Sequence, residues 1–201
     1  MAHVGCGIDI GGSGVKGALV DLTSGEFIGE RVRIDTPQPS TPDAVAEVCK
    51  QILLALEVGE DAPVGVDFPA PIIHGVAPFI ANLDQSWEGV NVETIMAEHL
   101  GRAVTVLNDA DAAGLAEAKF GAGKDVPGTV LVLTFGTGIG SAMIYDGELV
   151  PNSELGHLDI DGVQPLHVQA RLAVAVRAEV RQFVGVEGEP VAEVDGELLA
   201  A

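Results

Sequence analysis

The sequence predicts an α/β fold on a mixed sheet, and three observations carry that reading. Apolar runs of strand length alternate with helix-length runs in the order strand–strand–strand–helix–strand–helix–strand–helix. Twenty-six glycines in 201 residues supply the tight turns at which such folds bring backbone close to a ligand. Two of the glycine-rich turns pass from strand to strand rather than from strand to helix.

The elements follow in order. Val4 to Ile10 and Val15 to Leu22 are apolar runs, and Phe27 to Ile34 alternates, so all three read as strands. Gly11-Gly12-Ser13-Gly14 makes the first turn and Thr23-Ser24-Gly25 the second. A proline-rich connector from Thr36 to Pro42 ends with Ser40 or Thr41 as N-cap and Pro42 at the first helical position. The helix Asp43 to Leu56 follows, with Val45, Val48, Ile52 and Leu56 on one face. Pro63 to Phe68 is a short buried strand, and His74 to Asp84 an irregular hairpin or loop. A helix from Val92 to Leu100 leads through Gly101 into the strand Ala103 to Leu107. Asn108-Asp109 stands at that strand's C-terminal end, and Ala110 to Phe120 is a third helix. After the loop Gly121 to Gly128 come the strands Thr129 to Thr134 and Ser141 to Tyr145. Asp146-Gly147 is a hairpin signal, which predicts that Glu148 to Val150 pairs back.

Composition narrows the function. With 47% hydrophobic and 20% charged residues the chain is globular in composition. Ten Lys and Arg against thirty Asp and Glu give a net charge of -20, which argues against a nucleic-acid partner. An anionic substrate must then be held by backbone amides and a few local cations against an unfavourable field. Cys6 and Cys49 form neither a disulfide framework nor a metal spacing, and both are expected to be buried thiols. No apolar run of about 20 residues exists and the first residues have no basic stretch, so the expectation is a cytoplasmic protein without a membrane span.

The two glycine turns carry the chemistry. In Asp9-Ile10-Gly11-Gly12-Ser13-Gly14-Val15-Lys16 the backbone can turn several N–H groups toward one concave point, which suits a phosphate. Ser13 adds a hydroxyl and Lys16 a cation, while Asp9 beside a phosphate implies a magnesium-linked water or a donor partner. Alone, this turn is as readily a plain hairpin. The second turn, Phe135-Gly136-Thr137-Gly138-Ile139-Gly140, leads into a strand, which excludes a dinucleotide-binding fingerprint.

The ordered segments DIGGSGVKG, NDADAAGLAE, LTFGTGIGSA and ELGH resemble the ROK sugar kinases of the actin-like ATPase superfamily. NLDQSW, NDADAAGLAEAKFGAG and VPNSELGHLDIDG are most similar to the polyphosphate-using glucokinases of actinobacteria within that family. The resemblance covers about residues 4 to 162. It implies an actin-like (ribonuclease H-like) fold with a domain over 1–107, a second beginning over 108–162, and an atypical tail over 163–201.

It also implies phosphoryl transfer from polyphosphate or ATP to the 6-hydroxyl of glucose, with Mg²⁺. Asp109 takes the role of general base. Asn82, Asn108, Asp109, Glu154 and His157 border the sugar, although Asn108-Asp109 could equally cap the following helix. Asp9, Gly11, Gly12, Ser13, Gly14, Lys16, Gly136, Thr137 and Gly138 face the phosphoryl donor, with Asp9 linked indirectly to the metal. The implied partners are glucose, polyphosphate or a nucleotide, and a second copy in a homodimer. Trp87 reads as packing. Lys16, Lys119 and Lys124 could guide a polyanion, but three lysines are also an ordinary solvated surface.

Three departures stand out. No cysteine follows Cys49, so the zinc site of many ROK proteins is not expected. In Gly65-Val66-Asp67-Phe68-Pro69-Ala70-Pro71, Asp67 and Ala70 stand where the family has glycines. Residues after Gly162 match nothing in the family and read either as the product of a shifted reading frame or as a divergent helix from Val168 to Val184. The expectation is an incomplete second domain, and the alternative to an enzyme is a sugar-binding remnant.

Overall fold

The computed structural model describes residues 3–135 and 139–158, and the chain divides into two compact units, Met1–Ala112 and Ala113–Ala201. The first unit is built on a five-stranded sheet of β1 (Val4–Ile10), β2 (Gly14–Asp21), β3 (Phe27–Asp35), β4 (Val64–Phe68) and β5 (Thr105–Asn108). Their spatial order is β3-β2-β1-β4-β5. β1, β2 and β3 pair antiparallel, whereas β4 joins β1 and β5 joins β4 in parallel, so the sheet is mixed as the element order predicts.

Helices α1 (Pro42–Ala55) and α2 (Val92–Leu100) supply the crossovers that parallel pairing requires. Ile8, Ile10, Val15, Val66, Phe68 and Val106 belong to one buried cluster with Val45, Cys49 and Ile52 of α1 and Met96 of α2. Fully burying each such side chain is worth about 1.5–3 kcal/mol. Cys6 and Cys49 are free thiols inside this core, and burial pushes them up to about 11 and about 12. Trp87 is fully buried as expected, edge-on to Phe68 at 4.9 Å, with its indole N–H donating to the Ser40 carbonyl at 2.9 Å.

Local chemistry sets the helix ends. Thr41 holds the N-cap position of α1 but its side chain makes no capping bond, and Pro42 presets the first turn. The Ser40 hydroxyl instead accepts from the Asp84 N–H at 3.0 Å, tying the 82–87 segment to the start of α1. Asn91 caps α2 by accepting from the Thr94 N–H at 2.8 Å, and Gly101, at φ 68°, ends it. The stretch after β4 forms isolated bridges at Ile73, Val76 and Asn91 and one 3-10 turn, Gln85–Trp87.

The opposite face of the sheet carries a hollow of about 410 Å³. Gly7, Asp9, Lys16, Gly65 and Asp67 line it, with Phe27 and Arg31 of β3 also in its wall. Helix α3 (Asp109–Phe120) begins directly at the end of β5.

In the second unit β6 (Thr129–Phe135), β7 (Ile139–Tyr145) and β8 (Glu148–Val150) form an antiparallel meander. Asp146 and Gly147 both have positive φ, 49° and 86°, the hairpin geometry that this dipeptide favours. Val132, Ala142 and Ile144 make its small core with Val130 and Leu149. Gly136, Thr137 and Gly138, and the tail with the expected helix Val168 to Val184, lie outside the described residues. Among the described residues no helix is long and apolar enough to cross a membrane.

Candidate active site

The first glycine turn is a short reversal between β1 and β2, closed by the Gly11 N–H donating to the Gly14 carbonyl at 3.1 Å. Thr36, just past β3, fixes it from behind, its hydroxyl donating to the Gly11 carbonyl at 2.5 Å. Gly12 and Ser13 are exposed at the tip. A Cβ on Gly12 would lie 3.2 Å from the Asn82 carbonyl, so the Asn82 loop runs close beside the turn. Of the residues expected at the donor, Asp9 and Lys16 meet directly, Lys16 Nζ donating to Asp9 Oδ2 at 2.8 Å.

Strand register explains the neighbours of that pair. Asp9 stands opposite Lys16 on β2 and opposite Asp67 on β4, which places the three side chains in one row. Burial, the Asp9 charge and a shared hydrogen bond with Asp9 push the Asp67 carboxyl up to about 8, with Asp109 adding to the effect. Asp67 Oδ1 is buried without a hydrogen-bond partner. One row therefore carries a cation, a carboxylate and a carboxylic acid.

Asn108 and Asp109 sit where β5 becomes α3. Asn108 is buried, and its Oδ1 accepts from the N–H groups of Ala110 at 3.0 Å and Asp111 at 3.3 Å. That is N-cap geometry, so the helix-capping role open in the sequence is occupied and only the Nδ2 donors are left for a sugar. Asp109 also accepts from the Ala110 N–H, at 2.8 Å, yet remains exposed. Partial burial, foremost, and the Asp9 charge push its carboxyl up against the lowering effect of the Ala110 N–H. A carboxylate with raised proton affinity and open to solvent can accept a proton from a hydroxyl.

In the second unit Glu154 and His157 form their own pair, His157 Nδ1 to Glu154 Oε2 at 2.9 Å. Glu154 has φ 38°, a conformation that an L-residue holds only under constraint. The constraint is Ser141 on β7, a buried residue whose hydroxyl accepts from the Leu155 N–H at 2.8 Å. Ser153 adds a second tie by donating to the Ser141 carbonyl at 3.1 Å. Acceptor and donor atoms of Glu154 and His157 suit vicinal hydroxyls.

The motifs flag neither Ser141 nor Arg33 as functional, and Asp67 appears in them only as a departure. Arg33 donates through Nη2 to the Ser13 carbonyl at 3.1 Å and through Nη1 to Asp35 Oδ1 at 2.6 Å. The signal was present in β3, where Arg31, Arg33 and Asp35 recur at every second residue beside the turn.

For the magnesium that the resemblance implies, Asp9 offers a hard carboxylate oxygen beside the phosphate turn, whereas the protonated Asp67 does not. Among the described residues no group of three or more His, Cys, Asp or Glu could hold a metal ion.

Comparison with known proteins agrees with this architecture. The ROK family profile matches residues 5–176, fourteen residues beyond Gly162, where the motif resemblance ends. Polyphosphate glucokinase of Mycobacterium tuberculosis is 54% identical over 159 residues, spanning 79% of this chain and 59% of that protein. The glucokinase of Thermotoga maritima is 31% identical over 168 residues, spanning 80% of this chain and 52% of that protein. Among solved structures, the inorganic polyphosphate/ATP-glucomannokinase of an Arthrobacter species superposes with a TM-score of 0.76 at 50% identity, over 89% of this chain and 73% of that one. The ROK glucokinase of Streptomyces griseus, solved with glucose and AMPPNP, gives 0.68 at 27% identity over 78% of this chain and 51% of that one. The chain thus spans 59% of the length of its mycobacterial relative. With an actin-like fold and a profile match over most of its length, the chain belongs to the ROK family.

Proposed function

We propose that this chain carries the glucose-phosphorylating machinery of a ROK glucokinase, with polyphosphate or ATP as donor and the 6-hydroxyl of glucose as acceptor. The observation that carries the reading is Asp109, an exposed carboxylate with raised affinity for protons, fixed at a strand end in the same unit as the first phosphate turn. In this mechanism Asp109 accepts the proton of the attacking hydroxyl as the phosphoryl group transfers in line. Asn108, held by its capping bonds, orients the sugar through Nδ2, with Asn82 beside the turn; Glu154 and His157 are the residues of the second unit to which the resemblance assigns ring hydroxyls.

Backbone N–H groups of Gly12, Ser13 and Gly14 and the Lys16 ammonium receive the donor phosphates, with Gly11 closing the turn that presents them; Gly136, Thr137 and Gly138 are the donor residues that the resemblance implies in the second turn. Asp9 would hold Mg²⁺, which when bound would supply positive charge against the donor phosphates. Positioning supplies most of the rate enhancement, since phosphoryl transfer asks little covalent chemistry of the protein.

The test is a coupled assay for glucose 6-phosphate with polyphosphate and ATP supplied separately, run beside glucose binding by calorimetry. Turnover with either donor supports the reading. Glucose binding without turnover assigns the chain to sugar binding alone.

A further inference from the structure

We propose that Arg33 is a donor-selecting residue, gripping a polyphosphate chain on a strip of cations that runs from the first glycine turn along β2 and β3. The proposal takes its ligand class, a linked-phosphate donor, from the phosphoryl-transfer reading, and its geometry from the turn itself.

Arg33 lies across the turn. Its Nη2 donates to the Ser13 carbonyl at 3.1 Å. A Cβ on Gly14 would stand 2.7 Å from both its Nε and its Nη2, so a residue other than glycine there would push the guanidinium away. The turn is therefore shaped to seat this arginine as well as to expose backbone amides. Arg33 is also the register partner of Lys16, which places both cations side by side on the hollowed face of the sheet.

Arg31 extends the strip. It lies two residues before Arg33, beside an irregularity of β3 opposite Ala18, and lines the same hollow as Lys16. Its guanidinium is held over the Phe27 ring at 5.5 Å. Val32 and Ile34, between and beyond the two arginines, are half-buried against the core. Three of the chain's ten cationic side chains thus stand on one stretch of β2 and β3 leading away from the turn, in a protein with thirty acidic ones. Placement, not composition, makes this edge attractive to an anion.

The carboxylates facing the strip are Asp9, bonded to Lys16, and Asp35, bonded to Arg33, with Asp67 next to Asp9. The Asp35 side chain is 84% exposed, so its pair with Arg33 is solvent-screened and weak. A phosphate oxygen can replace that carboxylate, because the planar fork of arginine matches phosphate as well as carboxylate. A polyphosphate presents anionic groups along its whole length and can meet Lys16, Arg33 and Arg31 together. A nucleotide ends in a nucleoside after three phosphates and gains less from the outer two.

Equilibrium binding of inorganic polyphosphate and of ATP to the full chain, each across a range of salt concentrations, tests this. Arg33→Ala is expected to weaken polyphosphate binding about tenfold while ATP weakens less than about threefold. The slope of log K against log salt for polyphosphate should fall by about one, the signature of one lost phosphate contact. Asp35→Asn should act in the opposite direction and tighten polyphosphate binding, and it decides the matter if the arginine variant folds poorly.

Equal weakening of both donors, an unchanged salt slope, or no polyphosphate binding by the wild-type chain overturns the proposal. Polyphosphate binding through Arg33 without glucose turnover upholds it while removing the glucokinase reading, so the two failures are distinct.

Discussion

Asp67 and Asp9 face each other across the parallel pair β4 and β1, and burial together with the Asp9 charge pushes Asp67 up to about 8. The native state therefore holds a proton on Asp67 that the unfolded chain releases near the ordinary carboxylate range. Raising the pH from about 4 to about 8 removes stability over that window, and the effect levels off above it.

Asp67→Asn keeps the shape and abolishes the titration. Urea unfolding at acid, neutral and alkaline pH should show the variant matching the wild type near pH 4. It should be more stable above pH 8, by a gain on the order of 2–4 kcal/mol. Parallel pH profiles for the two proteins would contradict the placement of that proton.

Asn108 secures the first turn of α3 through two N–H groups, with Asp109 bonding one of them as well. Asn108→Ala leaves the Asp111 N–H without its acceptor and should cost about 1–2 kcal/mol in denaturant unfolding. Asn108→Ser, which can still cap, should recover most of that loss.

Ser141 holds the Glu154 loop by accepting from the Leu155 N–H. Its replacement by alanine removes the acceptor of a part-buried amide, worth about 1–2 kcal/mol. Amide exchange at Leu155 should accelerate, and glucose affinity should fall while donor affinity stays within about threefold. Unchanged exchange at Leu155 would show that the bond does not hold the loop.

Trp87 fills the core against Phe68 and reaches the Ser40 carbonyl. Trp87→Phe should lower stability by about 2 kcal/mol or more, through a lost hydrogen bond and a residual void. A melting temperature equal to that of the wild type would count against its role as an anchor of the 82–87 segment.

Much of the fold was legible because its signals are local. β1 runs from Val4 to Ile10 as its apolar run predicts, and α2 from Val92 to Leu100 between its cap residues. Boundaries moved where tertiary pairing decides them: β5 begins at Thr105 rather than Ala103 and takes in Asn108, whose register partner is Phe68. Asn108 and Asp109 were legible from motif order. The capping bonds of Asn108 and the proton on Asp67 were not, since both depend on which strand lies beside which. Arg33 was hidden for the same reason: its neighbours Ser13 and Lys16 lie 20 and 17 positions away and meet it only through β2–β3 pairing.

Asp109→Asn is the most direct test of Asp109 as the base for phosphoryl transfer to glucose. Asparagine preserves the N-terminal cap of α3 and the size of the side chain but cannot take the proton. With polyphosphate and ATP supplied separately in the coupled assay, turnover should fall by about 10²–10⁴ while the glucose dissociation constant stays within about threefold. Turnover near that of the wild type, with either donor, would contradict the account.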